Sequence, residues 1–278
     1  MDQRTSKGFI NAHPFEILRS AVRYSFADSP LFIFLPLPHQ PMCTVTYLPT
    51  RTGFTLTHNR DEAPARSAVS IVEEPNALGD HLLFPRDAKA GGTWFVTSSS
   101  GKTACLLNGA FVKHHHQPPY RRSRGLLMLD FFDYKNPDDF FEHYPLDGIE
   151  PFTFLFFRPG EVVELRWDEH RRHIKKLPAD QPHFWCSSTL YPAEMQEKRE
   201  QVFRQWLTSA RAHTPADVLR LHRNGSVGDP ANNFVMQRER VRTVSITQVV
   251  WQKKYARMRF LEMMEGNHDE RLVSIVNR

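Results

Sequence analysis

The fold is decided by residues 42–62, which read MCTVTYLPTRTGFTLTHNRDE. Side chains of alternating character run through residues 43–48 and again through residues 54–58, and this period of two is typical of β-strands. Residues 51–53 have the composition of a turn, so we predict that the two runs pair as a β-hairpin. The polar residues 59–62 follow the second run, and we expect them to leave the strand as a corner.

Downstream of this hairpin, groups of strands are followed by groups of helices. The periodicity predicts further strands over residues 68–72, 82–84, 94–97, 103–107, 152–157, 162–167, 244–251 and 255–263. Residue types that favour first helical turns predict that helices begin near Ser123, Asn136, Pro192 and Pro215. Because helices and strands do not alternate one by one, a doubly wound parallel sheet is not expected. We therefore predict an α+β protein with two antiparallel sheets enclosed by layers of helices.

The overall composition sets limits on the partners of the protein. The 278 residues suffice for one large domain or two small ones, and a hydrophobic content of 40% with 21 phenylalanines can form a sizeable core. The formal net charge is +5. The basic clusters are short and contain no interleaved aromatic residues, so solvated surfaces are favoured over nucleic-acid binding. The longest apolar stretch is too short to span a bilayer. We expect no nucleic-acid partner and no transmembrane segment.

The cysteines and histidines give no sign of a structural metal. The three cysteines, Cys43, Cys105 and Cys186, are widely spaced, and this small odd number argues against a disulfide framework. No CxxC pair is present as a basis for a zinc site. Consecutive side chains cannot all face one ion, so we expect residues 114–116, three histidines in a row, to form an exposed loop. These features predict no cofactor and a reducing, cytoplasmic location.

The first residues differ in composition from the rest of the chain. Residues 1–41 include an apolar run, residues 31–38, that prolines interrupt, so the run cannot pair as a central strand. Three interpretations stay open: a poorly ordered or misassigned leader, a signal peptide, or a genuine extra segment. The residues before Cys43 are not the small ones that signal-peptide cleavage requires. We expect a leader followed by a functional domain over residues 42–278. The mature chain would begin at Cys43, through initiation at Met42 with removal of that Met or through cleavage.

Ordered motifs within residues 42–262 resemble the NRDE family, which includes proteins of the transport and Golgi organisation 2 type. The motifs are Met42-Cys43-Thr44, Asn59-Arg60-Asp61-Glu62, Gly91-Gly92-Thr93-Trp94, Asn108 and Ser123-Arg124-Gly125. The resemblance implies a four-layer αββα sandwich related to the N-terminal-nucleophile hydrolases, such as the cysteine-type bile-salt hydrolases and the penicillin acylases. It also implies that Cys43 is the functional first residue.

In such enzymes, the first residue supplies both the nucleophile and the general base. A free Cys titrates at about 8.5 and a free α-amine at about 7.7–8.0, so the amine of Cys43 can accept the thiol proton near neutral pH. The resemblance points to Arg60 as the group that lowers the pKa of the thiol and to Asn108 as an oxyanion donor. Asp61 or Asn59 would orient the ammonium group. The candidate ligand-binding residues are Asn59, Glu62, Gly92, Thr93, Trp94 and Arg124.

The spacing within the Asn-Arg-Asp-Glu motif leaves open which side chains face the site. Adjacent residues in an extended chain point to opposite faces. Either Asn59 and Asp61 or Arg60 and Glu62 should therefore face the site, unless the corner turns. Structural interpretations also remain open: Cys43 as a buried thiol, the charged motif as a salt-bridged corner, and the Gly-Gly-Thr-Trp motif as a tight turn with a core tryptophan.

Two classes of function follow from these motifs. The leading hypothesis is a hydrolase that cleaves linear amide or thioester bonds in a small or acylated substrate, with Cys43 as nucleophile. The alternative is a non-catalytic binding or trafficking protein that holds an apolar ligand, such as haem, a lipid or acyl-CoA, in the same cleft. A structural protein without a ligand is a third class. A free amine on Cys43 separates the first two, because a binding protein does not need it. We expect Cys43, Arg60 and Asn108 to surround one pocket, with Trp94 near its wall.

Overall fold

The computed structural model describes residues 42–276 except residues 69, 189–191 and 210–212. The expectations for the leader, residues 1–41, lie outside the described residues. Within the described ranges, no helix has the length and the apolar character that crossing a membrane would require.

The described ranges contain thirteen strands, four α-helices and one 3₁₀ turn. The strands are β1 (Met42–Thr50), β2 (Gly53–Glu62), β3 (Ile71–Pro75), β4 (His81–Pro85), β5 (Phe95–Ser98), β6 (Thr103–Asn108), β7 (Phe152–Arg158), β8 (Glu161–Trp167), β9 (Arg172–Leu177), β10 (His183–Cys186), β11 (Arg242–Gln252), β12 (Tyr255–Glu262) and β13 (His268–Ser274). The helices are α1 (Arg124–Phe132), α2 (Pro137–His143), α3 (Ala193–Thr208) and α4 (Pro215–Asn224), and the 3₁₀ turn is Pro64–Arg66.

The strands form two antiparallel sheets. One sheet has six strands in the order β10-β1-β2-β11-β12-β13, and the other has seven in the order β3-β4-β5-β6-β7-β8-β9. The seven-stranded sheet follows the chain order, whereas the six-stranded sheet joins the first hairpin to the last strands of the domain. The strands β1 and β2 therefore lie inside the six-stranded sheet, where each is paired on both sides.

Buried side chains fill three spaces between four layers. The inner core lies between the two sheets and contains, among others, Val45, Leu56, Phe95 and Leu155. An outer core packs α1 and α2 on the seven-stranded sheet through aromatic residues such as Phe131, Phe140 and Phe154. A smaller core packs α3 and α4 on the six-stranded sheet through residues that include Phe203, Val218 and Leu221. The order helix, sheet, sheet, helix is the αββα sandwich that the sequence predicted.

Strand β1 shows why this sequence needs both a sheet partner and a helix partner. Val45 and Tyr47 point into the inner core. Thr44 and Thr46 alternate with them and are also fully buried, beneath the helices. The Thr46 hydroxyl lies 2.7 Å from Nε2 of His222 on α4, so a hydrogen bond satisfies the polar side chain in its buried position. Threonine can therefore occupy the helix-facing positions of a strand that is buried on both sides.

The starts of the helices agree with the sequence prediction. The hydroxyl of Ser123 accepts a hydrogen bond from the backbone N–H of Leu126 at 3.2 Å, which caps α1. Asn136 caps α2 in the same way, immediately before a proline in the first turn. Thr214 and Asp217 form a reciprocal capping box at the start of α4. These local signals are strong because each capping side chain accepts a hydrogen bond from a backbone N–H group that has no partner within the helix.

Several strand predictions need correction. Residues 59–62 do not leave the strand as a corner, because β2 continues to Glu62 with β1 and β11 paired on its two sides. The strand expected over residues 68–72 lies instead at Ile71–Pro75, after the 3₁₀ turn. Strands β9, β10 and β13 were not predicted. Each is short and half-exposed or lies at a sheet edge, so it carries little of the apolar alternation that marks a strand.

Candidate active site

A cavity of about 330 Å³ lies at the end of the sandwich where β1 begins and where β2 and β6 end. Cys43 and Arg60 line it from the six-stranded sheet, and Asn108 lines it from the seven-stranded sheet. Trp94 forms part of its wall, and the N-terminus of α1 with the preceding loop, residues 116–123, lies at its rim. The structure thus brings together four residues that the sequence analysis had assigned to one pocket.

The register of the first hairpin determines which side chains share the face of Cys43. Cys43 pairs with Arg60 across β1 and β2, and side chains of directly paired residues lie on the same face. Glu62, two residues further, also lines the cavity. Asn59 and Asp61 alternate with these residues and point to the opposite face, under the helices. Of the two alternatives that the sequence left open, the pair Arg60 and Glu62 faces the cavity.

The guanidinium group of Arg60 is part of a network of salt bridges. Its Nη2 atom lies 2.6 Å from Oδ2 of Asp87 and 3.4 Å from Oε2 of Glu62. Arg66 contacts the same two carboxylates at 2.8 Å and 2.7 Å. The Arg60 guanidinium also stacks on the Trp94 ring, with 4.0 Å from Cζ to the ring centroid. Two arginines balance two carboxylates, so this side of the cavity carries no net charge.

The thiol of Cys43 is nearly inaccessible and is not activated in this form of the chain. Burial raises its pKa well above the ordinary value, and the charge of Asp61 acts in the same direction. Arg60 and the backbone N–H of Asp61 lower the pKa but do not outweigh burial. The thiol is therefore protonated near neutral pH, and a nucleophilic reaction would need a base close to its sulfur.

Asn59 and Asp61 fix the helix layer behind β2. The Asn59 amide nitrogen donates to the backbone carbonyl groups of His222 and Phe234 at 3.0 Å and 2.8 Å. Its oxygen lies 2.7 Å from Nδ1 of His222. Asp61 accepts a hydrogen bond from the Thr243 hydroxyl, and burial raises the pKa of its carboxyl group to about 7. Neither side chain lines the cavity. Asn59 holds the sheet against α4 and the chain that follows it, whereas Asp61 links β2 to the neighbouring strand β11.

Three of the candidate binding residues position the wall next to α1. A Cβ atom on Gly92 would lie 2.5 Å from the carbonyl carbon of Gly125, so only glycine allows the helix to approach this closely. The Thr93 hydroxyl donates to the backbone carbonyl of Pro85 at 2.7 Å, and the Thr93 backbone N–H donates to that of Gly125 at 3.1 Å. Trp94 is 6% exposed and covers the Arg60 guanidinium. These contacts are structural, and they also shape the cavity.

The carboxylate of Glu150, at the rim of the cavity, binds side chains of the loop before α1 and of α1 itself. His114 Nε2 and His116 Nδ1 both lie 3.0 Å from one of its oxygens, and Arg124 Nη2 lies 2.9 Å from the other. Burial acts to raise the pKa of Glu150, but hydrogen bonds from the histidines and the charge of Arg124 lower it to about 2. The expectation of an exposed loop is therefore wrong for His114, whose side chain is 8% exposed.

Residues 42–258 match the family described as Transport and Golgi organisation 2. The chain belongs to this family. The matched residues begin with the Met-Cys motif at the cavity and end within β12, so they include every motif on which the sequence resemblance rested. None of the curated proteins compared with the sequence matches it.

This family member shares its fold with a solved structure. The ortholog of N-acylethanolamine-hydrolyzing acid amidase from Caenorhabditis elegans superposes with a TM-score of 0.51 at 13% sequence identity, over 75% of this chain and 92% of that chain. A mutant conjugated bile acid hydrolase from Clostridium perfringens gives a TM-score of 0.45 at 10% identity, over 85% of this chain and 97% of that chain. At such low identity, the first likeness establishes the shared fold alone.

The sequence analysis of this family member did not select three residues that contact the site. Asp87 accepts hydrogen bonds from the backbone N–H groups of Lys89 and Ala90, and a turn with an aspartate at its start is the signal that could have marked it. Glu150 and Ser187 lie far along the chain from their partners and carry no local signal. No cluster of metal-ligating side chains occurs in the part of the chain that the structure describes.

Proposed function

We propose that this protein is a hydrolase of the N-terminal-nucleophile type, with Cys43 as its nucleophile. The observation that carries the proposal is the position of Cys43, which lies at the start of β1 and lines the cavity beside Arg60. A thiol at this place can reach a bound carbonyl carbon, and its own backbone nitrogen is close enough to act on its proton. The fold that the chain shares with the N-acylethanolamine-hydrolyzing acid amidase ortholog supports this proposal.

Removal of the preceding residue is the step that would supply the base. While Met42 is attached, the nitrogen of Cys43 belongs to an amide and cannot accept a proton. The raised pKa of the buried thiol then keeps it inactive. A chain that begins at Cys43 has an α-amine at the same position, with an ordinary pKa of about 7.7–8.0. Activity is therefore tied to the identity of the first residue.

The proposed reaction balances without a cofactor. The amine of Cys43 takes the thiol proton, and the sulfur attacks the carbonyl carbon of a linear amide or thioester to form a tetrahedral oxyanion. The carbon–nitrogen or carbon–sulfur bond of the substrate breaks, and the ammonium proton passes to the leaving group. Water then attacks the thioester on Cys43, giving the acid and restoring the thiol.

The neighbouring side chains have proposed roles in this reaction. Arg60 provides positive charge beside the sulfur, which favours the thiolate. Asn108, at the end of β6, is a candidate donor to the oxyanion. Trp94 offers an apolar wall for an acyl chain. Asp61 lies on the opposite face of β2, so we assign it to the support of the sheet, and it would not orient the amine directly.

A binding or trafficking role is the second candidate, and one observation favours it. The Arg60 guanidinium is already compensated by Glu62 and Asp87, and the Cys43 thiol is shifted away from its reactive form. A cavity with these properties can hold an apolar ligand, such as haem, a lipid or acyl-CoA, without any reaction. A reducing cytoplasmic setting fits either role, since the three cysteines are free thiols.

Turnover of simple acyl substrates separates the two roles. The full chain is expressed, its first residue is established by intact mass, and hydrolysis of an N-acyl aminocoumarin and of an acyl thioester is measured. We expect Cys43→Ala to remove turnover and Cys186→Ala, in the neighbouring strand, to retain it. We expect molecules that retain Met42 to be slower on the order of 1,000-fold. Absence of turnover in molecules that begin at Cys43, together with ligand binding that survives Cys43→Ala, would favour the binding protein.

A further inference from the structure

We propose that Ser187 is the positioning residue for the amino nitrogen of Cys43; this inference rests on the proposed function. The hydroxyl of Ser187 accepts a hydrogen bond from the backbone nitrogen of Cys43 at 3.0 Å. This contact joins residues that are 144 positions apart in the chain. It involves the one atom of Cys43 whose chemistry changes when the chain begins at that residue.

The position of Ser187 follows from the pairing of β10 with β1. Cys186, the last residue of β10, pairs with Thr44, so the next residue along the chain lies beside Cys43. The backbone N–H of Ser187 donates to the carbonyl oxygen of Cys43 at 3.0 Å, while its hydroxyl accepts from the Cys43 nitrogen. One residue thus holds both polar backbone groups of Cys43, and it is 1% exposed.

A serine hydroxyl suits the nitrogen both before and after it becomes an amine. It accepts one N–H from an amide, from a neutral amine or from an ammonium group. With one N–H of the amine directed at Ser187, the lone pair can be held toward the sulfur of Cys43. Acceptance of a hydrogen bond from the charged form also favours that form, so Ser187 should raise the pKa of the amine. The side chains of Asn59 and Asp61 bond on the opposite face of the sheet and do not replace it.

The structural alternative is that Ser187 only satisfies the buried backbone of Cys43. Under that alternative, loss of the hydroxyl would lower stability and leave the titration of the amine unchanged. Under the proposal, loss of the hydroxyl moves the pH midpoint of Cys43 reactivity. The midpoint therefore distinguishes a positioning role from a structural one.

The test measures alkylation of Cys43 by iodoacetamide as a function of pH in full-chain preparations. Mass spectrometry of the N-terminal and internal peptides separates molecules that begin at Cys43 from those that retain Met42, and Cys105 serves as an internal reference. The variants are Ser187→Ala, the isosteric pair Ser187→Thr and Ser187→Val, and Ser188→Ala. The last is a matched control, because its hydroxyl has no hydrogen-bond partner within the described residues.

In molecules that begin at Cys43, we expect Ser187→Ala and Ser187→Val to lower the midpoint pH and to slow alkylation on the order of tenfold. Ser187→Thr and Ser188→Ala should behave like the unaltered chain. If Ser187→Ala does not fold, the difference in midpoint pH between Ser187→Thr and Ser187→Val tests the role of the hydroxyl. An unchanged midpoint in the variants without the hydroxyl, with the unaltered chain reactive, overturns the role of Ser187 alone. Preparations in which every molecule retains Met42 overturn this role and the proposed function together.

Discussion

Cys43 and Arg60 are direct partners across the first two strands, and their side chains share the face that lines the cavity. The pairing gives the cysteine a cationic neighbour without any loop. Because both positions lie in strands paired on each side, the geometry is held by the sheet itself. The site therefore depends on the charges that keep the Arg60 side chain in place.

Replacement of Arg60 should affect both stability and reactivity. In Arg60→Ala, Glu62 and Asp87 lose their shared buried cation, and removing one partner of a buried pair costs about 3–5 kcal/mol. The pKa of the Cys43 thiol should also rise further, since Arg60 lowers it. Urea unfolding and the rate of Cys43 alkylation measure the two effects. Arg158→Ala is the control: the Arg158 side chain is 46% exposed in its contact with Glu161, so a change above about 1 kcal/mol is not expected.

The fold should lose stability on mild acidification because of two buried histidines. Burial lowers the pKa of His58 and of His222 to about 3 from the ordinary 6.5. The stability that the two neutral histidines contribute is present above pH 6.5 and is lost as the pH falls toward 3. Between pH 6.5 and 5, each histidine should lower the free energy of unfolding by about 2 kcal/mol. Asp61 acts in the opposite direction, because its raised pKa, about 7, gives stability that is present below pH 3.8 and lost as the pH rises through 7.

The variant Asp61→Asn isolates the histidine effect. The unfolding free energy of the unaltered chain should fall by about 2 kcal/mol between pH 6.5 and 5. Protonation of the Asp61 carboxyl group adds stability over this range and offsets part of the stability lost at the two histidines. In Asp61→Asn, the decrease should be about 4 kcal/mol. Urea titrations at the two pH values measure it. Equal decreases in the two proteins would contradict the assignment of the raised pKa to Asp61.

Glu150 should determine the order of the loop at the cavity rim. In Glu150→Gln, Arg124 loses its carboxylate, and His114 and His116 lose their common acceptor charge. We expect a stability loss of about 2–3 kcal/mol and faster amide exchange in the loop. Hydrogen exchange with mass spectrometry reports on the loop directly. Glu73→Gln, which breaks an exposed contact with His81, should change stability by less than about 1 kcal/mol; a similar effect from both variants would be evidence against a special role for Glu150.

A methyl group on Gly92 should displace α1 from the wall of the cavity. The added Cβ atom would meet the backbone of Gly125 at 2.5 Å, and backbone cannot yield as a flexible side chain does. We expect Gly92→Ala to lower stability by about 1–3 kcal/mol and to reduce turnover. Thermal unfolding and the acyl assay measure the two effects. The exposed neighbour Ala90, changed to Ser, is the control, and equal melting temperatures for the two variants would refute the close contact.

The sequence predicted the parts of the fold that local patterns control. The alternation in β1, the cap at Ser123 and the paired first hairpin each follow from a few consecutive residues. The edge strands β9 and β13 were missed because their exposed side chains carry no alternation to read. The polar end of β2 was taken for a corner, since sequence gives no sign of the partners that bury Asn59 and Asp61.

The candidate site was predictable only where local sequence motifs mark its residues. The motif residues Cys43, Arg60 and Asn108 were selected from sequence. Strand pairing places Cys43 beside Arg60, and the packing of the two sheets brings Asn108 to the same cavity. Ser187 was not selected because its contact arises from a strand that is far along the chain and carries weak signals of its own. Long-range contacts of this kind are fixed by topology and cannot be read from neighbouring residues.

The short turn between β1 and β2, residues 51 and 52, has an influence that extends to the far end of the hairpin. Its length sets which residue of β2 lies opposite Cys43, although the two places are about 25–30 Å apart along the strand. One inserted residue there could advance β2 by a single step, which would direct Asn59 and Asp61 into the cavity and turn Arg60 toward the helices. The length of a turn far from the cavity thus determines which side chains of β2 line it.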